Sequence, residues 1–297
     1  MELCLGTVQL GMQYGIQNNG RPDDAETEKI LSSALENGIR WFDTAEAYGD
    51  AEMVLGRFVR KHPDQAASMR IVSKLAPDAF SNAPREEWSG IALRHAQETL
   101  CRLGKQRLEV YMFHNASSIF DPEAVEALDS VRREGLAQTT GVSIYTPEEA
   151  MEALSYSQIG VIQIPYNVFD RRLDRCGFFQ EARRKHVRVF ARSSLLQGLA
   201  VMEPQRLPPH MAFAVPYVAR FRSVCERAAI SPLQGAIGFV ASHPDIHSLV
   251  FGTDNQRQLL EYVSIASAPL PPAVLEELED AFQTVEERLV NPSLWKN

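Results

Sequence analysis

The sequence predicts a single-domain α/β protein of the (β/α)8 (TIM) barrel class, spanning residues 1–297. Three observations carry this expectation. Eight short apolar runs alternate with segments of helical periodicity along the whole chain, the pattern of parallel strands joined by helical crossovers. A chain of 297 residues suits one barrel, a fold that stays a single domain at this length. No low-complexity linker or shift in composition divides it, and the first βα turn lacks the GxGxxG glycines of a dinucleotide-binding open sheet.

Leu3–Gly6 reads as the first strand, followed by a glycine-rich loop over residues 11–20. Asp23 or Asp24 caps a helix running to about Asn37, with Ile30, Leu31, Ala34 and Leu35 at helical spacing. Gly38 stops it, and Ile39–Asp43 forms a second strand that ends in a carboxylate. Ala51 to Val59 is a helix with Val54, Leu55, Phe58 and Val59 on one face. Arg70–Lys74 is a third strand ending in a lysine; the helix Arg85–Leu103 follows, closed by Gly104. Leu108–His114 is a fourth strand ending in a histidine. Asp121-Pro122 opens a helix to near Gly135, with Asp at the N-cap and Pro in the first turn. Ala137–Ser143 is the fifth strand, Thr146-Pro147-Glu148-Glu149 starts a helix, and Gly160–Ile164 is the sixth strand. Arg175–Lys185 is helical and Val187–Arg192 is the seventh strand. Residues 197–216, with Pro204, Pro208 and Pro209, predict a loop over the barrel mouth. Helices over 216–229 and 232–242 lead to the eighth strand, Ser248–Gly252, then to helices Asn255–Ala266 and Pro272–Leu289.

A hydrophobic fraction of 45% beside 23% charged residues describes a globular protein with a large core. The formal charge of -8 argues against a nucleic-acid or membrane surface. Cys4, Cys101, Cys176 and Cys225 stand far apart without CxxC or Cys/His spacing, so no metal site is expected and the thiols read as reduced. No apolar run reaches membrane-spanning length. Met1–Gly6 lacks the basic and apolar regions of a signal peptide, which leads us to expect a cytoplasmic protein. Nothing in the sequence specifies an oligomeric state.

In a barrel of this class the C-terminal strand ends converge on one face, where the active site lies. Asp43 and Tyr48 follow strand two, Lys74 ends strand three and His114 ends strand four. A phenol is a weak acid at neutral pH, and a neighbouring ammonium favours its ionised form. Asp43 would pair with Lys74 and hold it, while His114 would donate a hydrogen bond to a substrate oxygen. Such a pocket polarises a carbonyl and protonates the alkoxide. It has no reductant of its own, so a cofactor must supply hydride.

At these residues the chain resembles the aldo-keto reductases over nearly its whole length. Asp43-Thr44-Ala45-Glu46-Ala47-Tyr48-Gly49, continuing through Glu52 to Leu55-Gly56, is similar to the family's D-T-A-x-x-Y-G…E…L-G signature. Ile71–Lys74 resembles its lysine strand, and Leu103-Gly104…Leu108–Tyr111…His114 its histidine strand. Arg133-Glu134-Gly135 with Gly141-Val142-Ser143, and Gln163-Ile164-Pro165-Tyr166-Asn167, match two further segments in order. The resemblance implies a reductase for a small-molecule aldehyde or ketone, sugar-type carbonyls among them, with a nicotinamide cofactor, usually NADPH. It implies Tyr48 as general acid, Asp43 and Lys74 as the pair that tunes it, and His114 as the orienting residue. For the cofactor it implies Gly6, Thr7 and Asp43 near the nicotinamide end, Ser143 and Gln163 on the carboxamide, and Arg192 against the nicotinamide ring, where many members place an aromatic. Ser193, Leu195, Gln197 and Gly198 would cover the pyrophosphate. Gly252, Thr253, Asp254, Gln258 and Glu261 would hold the adenosine half, where Thr253 and backbone N–H groups at a helix start suit phosphate.

Departures from the family pattern bear on the cofactor. Ile144 stands where Asn often follows the Ser, and Tyr262 where Asn commonly reads the adenine. Asp254 and Gln258 stand where the family often has a basic residue or Ser for a 2′-phosphate, which the Asp254 carboxylate would repel and Arg257, one residue from Gln258, could offset, so NADH competes with NADPH as the expected cofactor. Two other functions use fewer of these residues. A barrel lyase would use Lys74 as a Schiff base and needs a free lysine of low pKa, which Asp43 opposes. A cofactor-bound regulatory subunit, known among such relatives, has no need of a complete tetrad.

Overall fold

Eight parallel strands close into a barrel in chain order: β1 (Glu2–Gly6), β2 (Trp41–Asp43), β3 (Arg70–Leu75), β4 (Leu108–Phe113), β5 (Ala137–Ser143), β6 (Ile159–Pro165), β7 (Arg188–Arg192) and β8 (Ser248–Gly252). This computed structural model describes residues 1–16 and 20–295; residues 17–19 of the glycine-rich loop and residues 296–297 lie outside the described residues. Among the described residues no helix is long and apolar enough to cross a membrane.

Strand alternation divides the core in two. Cys4, Trp41, Val72, Val110, Met112, Val161, Phe190 and Val250 point inward and fill the barrel as one apolar cluster. Their neighbours Leu5, Phe42, Ile71, Tyr111, Ile162, Val189 and Leu249 point outward into the larger core under the helices. The helices start where side chains satisfy their first N–H groups. Asp23 caps Asp24–Glu36 and Asp121 caps Pro122–Arg133. Thr146 with Glu149, and Ser231 with Gln234, form reciprocal capping boxes on Pro147–Ser155 and Pro232–Ala241.

Trp41 is the largest side chain of the inward cluster and lies towards the N-terminal end of the barrel. It is 2% exposed and meets Phe190 edge-on at 5.2 Å. The guanidinium groups of Arg70 and Arg188 lie 5.4 and 5.3 Å from its ring centroid, and its indole N–H donates to Glu2 at 2.9 Å. Trp41→Ala removes this side chain and leaves two cations without their aromatic face. It is expected to cost about 3–5 kcal/mol, read as a lower urea midpoint at unchanged slope. A midpoint equal to wild type would contradict this role.

Several elements depart from the expected boundaries. β2 is confined to Trp41–Asp43, and β4 ends at Phe113, so His114 heads the following loop. Two short helices, Val8–Gly11 and Pro63–Ala66, were not legible as periodic segments. The final expected helix is broken: Pro272–Ala281 ends, and Glu287–Val290 begins again. Phe282 is the cause. It turns inward to 2% exposure and packs edge-on against Phe169 at 4.9 Å, which takes its backbone out of helical geometry. The proline-rich loop over 197–216 folds into three 3-10 turns, Leu199–Val201, Pro204–Arg206 and Pro209–Ala214, two of them opened by proline.

Candidate active site

The site is the next inward layer above the apolar cluster. Moving two residues along a strand keeps a side chain on the same face. Trp41 is thus followed by Asp43, Val72 by Lys74, Met112 by His114, Val161 by Gln163 and Phe190 by Arg192. The barrel interior changes at one level from apolar to ionisable, and that level faces the C-terminal mouth.

Lys74 is wholly buried and Asp43 is 3% exposed. The ammonium donates to both Asp43 carboxylate oxygens at 2.8 Å and to the Thr44 carbonyl at 2.9 Å. Its distance to the Tyr48 hydroxyl is 3.4 Å. Burial works against the charge on Lys74, but Asp43 and the hydroxyl of Tyr48 outweigh it and hold the ammonium above its ordinary pKa. Gln163 donates its amide N–H to Asp43 Oδ1 at 2.7 Å, so the carboxylate is held from two strands.

Burial raises the Tyr48 phenol above its ordinary range, against the downward pull of Lys74 and Arg192. This corrects the expectation that the ammonium would lower it: desolvation of the phenolate exceeds the charge effect. Tyr48 therefore keeps its proton at physiological pH. His114 meets the Tyr48 ring edge-on at 5.5 Å. Burial, with Lys74 and Arg192, pulls its imidazole down to about 3. Its Nδ1 is buried and without a hydrogen-bond partner among the described residues, which leaves Nε2 as the ring nitrogen that can reach a substrate.

The sign of the His114 shift sets its pH behaviour. An unfolded chain takes up this proton below about 6.5 while the folded one stays neutral, so its linkage lowers stability as pH falls from there towards 3. Across about pH 5–8 the ring is expected to stay neutral, where an ordinary histidine changes charge. Its NMR resonances should then be flat over that range; an inflection near the ordinary value would contradict a neutral His114.

Tyr48 is carried by a backbone contact that leaves no room for side chains. A Cβ on Gly11 would lie 2.0 Å from the Tyr48 carbonyl oxygen, and one on Gly49 2.6 Å from the Gly11 oxygen. Gly49 has φ +56°, and the Asp50 N–H donates to the Gly11 oxygen at 3.2 Å. The glycine at position 11 thus docks the helix Val8–Gly11 against the Tyr48 turn. Sequence reading missed this, because the contact joins segments far apart in the chain. It also missed a polar layer behind the site. Glu52 accepts from Ser73 and from Arg102, both at 2.6 Å. Glu46 takes the Tyr111 hydroxyl at 3.0 Å and lies 2.8 Å from His95 Nδ1. These contacts tie β3, β4 and the helices Ala51–Lys61 and Trp88–Leu103 to the loop that carries Tyr48.

The expected cofactor residues lie around the same mouth. Gly6 ends β1 beside Asp43 and Gly252. The Thr7 hydroxyl donates to the Asp43 carbonyl at 3.0 Å and so supports the end of β2. Gln163 Oε1 is buried with no hydrogen-bond partner among the described residues, an orphan that suits the N–H of a carboxamide. The Ser143 hydroxyl accepts from Arg192 Nε at 3.2 Å and keeps its own proton to donate. In the loop after β7, Ser193, Leu196 and Gln197 have φ of 62°, 49° and 57°, followed by Gly198 at 94°. Side-chain residues in this conformation concentrate at binding sites; Leu195 lies between them. The Ile16 N–H donates to the Gln197 carbonyl at 3.2 Å and ties this loop to the one after β1.

At the far end, Gln258 Oε1 accepts from the Thr253 hydroxyl and from the Asp254 N–H. Gln9 donates to Asp254 Oδ1 at 2.9 Å. Glu261 is exposed on the helix Gln256–Ala266, whereas Tyr262 turns inward against Phe251 at 5.3 Å and so packs the core. These donors, the orphaned amide oxygen and the loop geometry fit a nicotinamide dinucleotide.

The substrate side is more open. Tyr14 is 43% exposed, and Met12 lies beside it on the same loop. A cavity of about 160 Å3 opens beside His114, lined also by Phe80, Phe113 and Asn115. Trp88 stacks on Phe80 at 4.9 Å and donates its N–H to the Ala83 carbonyl, so it supports that cavity from behind. Phe169, on the loop after β6, is 1% exposed and packs with Phe221 and Phe282 instead of lining the mouth.

A model of the aldo/keto reductase family matches residues 2–282. An aldo-keto reductase of Gibberella moniliformis is 28% identical over 215 residues, 70% of this chain and 63% of the fungal protein. The match therefore spans less than two thirds of that relative's length. The uncharacterized oxidoreductase YqkF of Bacillus subtilis is 23% identical over 90% of this chain and 89% of its own. Among solved structures, an aldo-keto reductase of Bacillus halodurans in its holo form superposes with a TM-score of 0.77 at 21% identity, covering 98% of this chain and 95% of that one.

Proposed function

The chain belongs to the aldo/keto reductase family, and from that premise we propose that it reduces an aldehyde or ketone with a nicotinamide cofactor, using Tyr48 as the proton donor. The observation that carries this reading is the contiguity of Asp43, Lys74 and Tyr48 with a neutral His114 across the phenol ring. A reduced nicotinamide supplies the hydride when bound. Everything else falls to the chain's own residues. Tyr48 holds its proton until charge develops on the carbonyl oxygen, then donates it there. Lys74, kept charged by Asp43, stabilises the phenolate left behind. His114, with its proton on Nε2, donates to the same oxygen and orients it. Gln163 Oε1 and the Ser143 hydroxyl would hold the carboxamide, and Arg192 would lie against the nicotinamide ring.

NADPH is the cofactor we propose. Arg257 is exposed in the first turn of the helix Gln256–Ala266 and offers a cation for a 2′-phosphate, while Gln9 already engages the Asp254 carboxylate. Titration of the protein's fluorescence with NADPH and NADH is expected to give tighter binding of NADPH. Equal or tighter NADH binding would overturn that choice. The reductase reading itself is tested by loss of NADPH absorbance with a nitrobenzaldehyde. Negligible turnover despite tight cofactor binding would favour a regulatory role instead. The Schiff-base alternative is disfavoured by a Lys74 that is wholly buried, doubly bonded to Asp43 and shifted towards the charged form.

A further inference from the structure

We propose that Glu46 is a positioning residue for proton donation: its carboxylate keys the loop that carries Tyr48 to β4, the strand that leads into His114. The inference rests on the reductase reading above. The loop from Thr44 to Asp50 has few other anchors. Ala45, Ala47 and Gly49 alternate in it with Glu46 and Tyr48, and Ala47 and Gly49 are exposed. Lys74 holds its start from β3 through the Thr44 carbonyl at 2.9 Å, and the Glu46 N–H reaches the Lys74 carbonyl at a long 3.4 Å. The Gly11 contact holds its end from the segment after β1. Neither contact fixes the loop against β4.

The Glu46 side chain does so. It is 11% exposed. One carboxylate oxygen accepts from the Tyr111 hydroxyl at 3.0 Å, and the other lies 2.8 Å from His95 Nδ1 and 3.6 Å from the Arg102 guanidinium. A carboxylate accepts and does not donate, so His95 donates from Nδ1. Burial, and then the charge of Glu46, raise the Tyr111 phenol well above its ordinary range, so the hydroxyl keeps the proton it donates. Arg102 is held in turn by Glu52 at 2.6 Å. Tyr111 is wholly buried on the outward face of β4. The two donors assigned to the substrate oxygen thus hang from one strand, His114 directly and Tyr48 through Glu46 and Tyr111. Their rings meet edge-on at 5.5 Å.

Stability alone does not call for a carboxylate here. Apolar side chains often replace buried charged groups without loss of stability. What a satisfied polar network adds is a fixed direction for each of its members. Direction matters to a proton donor, since a displacement of about 1 Å at a reacting group costs about 10²-fold in rate. Glu46 touches neither the reacting oxygen nor the cofactor residues named above, so its effect must pass through Tyr48.

The experiment measures turnover of a nitrobenzaldehyde with NADPH by wild type, Glu46→Ala, Glu46→Gln and Tyr111→Phe. Glu46→Ala is expected to lower kcat about 10- to 100-fold, with the aldehyde KM and NADPH binding within about twofold of wild type. Glu46→Gln keeps the length of the side chain and an oxygen for Tyr111, and should restore most of the rate. Glu46→Ala added to Tyr48→Phe should lower the residual kcat by less than about twofold, because the hydroxyl it positions is already gone. General loosening of the site would lower both backgrounds equally, and that result would overturn the inference. So would a kcat within about twofold of wild type in folded Glu46→Ala, which would leave the reductase reading standing. If Glu46→Ala does not fold, Tyr111→Phe decides, since it removes one bond to Glu46 and should lower kcat in the same direction by less; an unchanged kcat there would overturn the inference. Absence of turnover by the wild-type protein would overturn the reductase reading, and the inference with it.

Discussion

Tyr48→Phe is expected to lower kcat about 10³-fold while NADPH binding stays within a factor of about two of wild type, since the hydroxyl is assigned to the substrate oxygen. The substitution removes one oxygen and keeps the ring that meets His114 edge-on. The fold and the cavity beside His114 should therefore survive. Steady-state turnover with a nitrobenzaldehyde and fluorescence titration of the cofactor separate the two effects. Activity equal to wild type would remove Tyr48 from the mechanism. A loss of cofactor binding as large as the loss of turnover would reassign the hydroxyl to the cofactor. The rate deficit should not be repaired by raising the pH, because burial already keeps the wild-type phenol protonated through the working range.

Lys74→Met is expected to lower stability by about 3–5 kcal/mol. It removes the ammonium that donates to both oxygens of Asp43 and leaves that carboxylate at 3% exposure with the Gln163 amide as its remaining side-chain donor among the described residues. A buried charge that has lost its partner costs more than the pair contributed. The double variant Lys74→Met/Asp43→Asn should recover much of the loss, because neither charge remains to be solvated. Both variants should be inactive. Urea unfolding of wild type, Lys74→Met, Asp43→Asn and the double variant tests this. If the double variant were as destabilised as the two single changes added together, the charges would be independent and the pairing wrong.

Much of the fold was legible because a barrel repeats one rule eight times. Short apolar runs such as Val110-Tyr111-Met112 alternate with periodic helices, and capping residues such as Asp121 and Thr146 mark where those helices begin. The misses lie where tertiary packing overrides local preference. Phe282 belongs to a helical pattern by spacing, yet packing against Phe169 draws it in and the helix breaks. Gly11 reads as a loop glycine, yet it is the contact point for the Tyr48 turn. Phe169 sits on a mouth loop by position, yet packs wholly inward.

The candidate site divides in the same way. Strand parity alone determines that Asp43, Lys74, His114, Gln163 and Arg192 share the inward face, since each stands two residues beyond an apolar interior residue and a period of two is local to the strand. Their partners are decided by closure of the barrel. It brings Gln163 to Asp43 across 120 positions of chain and Arg192 to Ser143 across 49. Closure also decides the electrostatics. Proximity to Lys74 favours a lower pKa for Tyr48, but the depth of burial reverses that, and the same burial keeps His114 neutral. Spacing along a strand is written in the sequence. Desolvation and charge compensation depend on atoms contributed by strands distant in the chain, so they exist only once the barrel has closed.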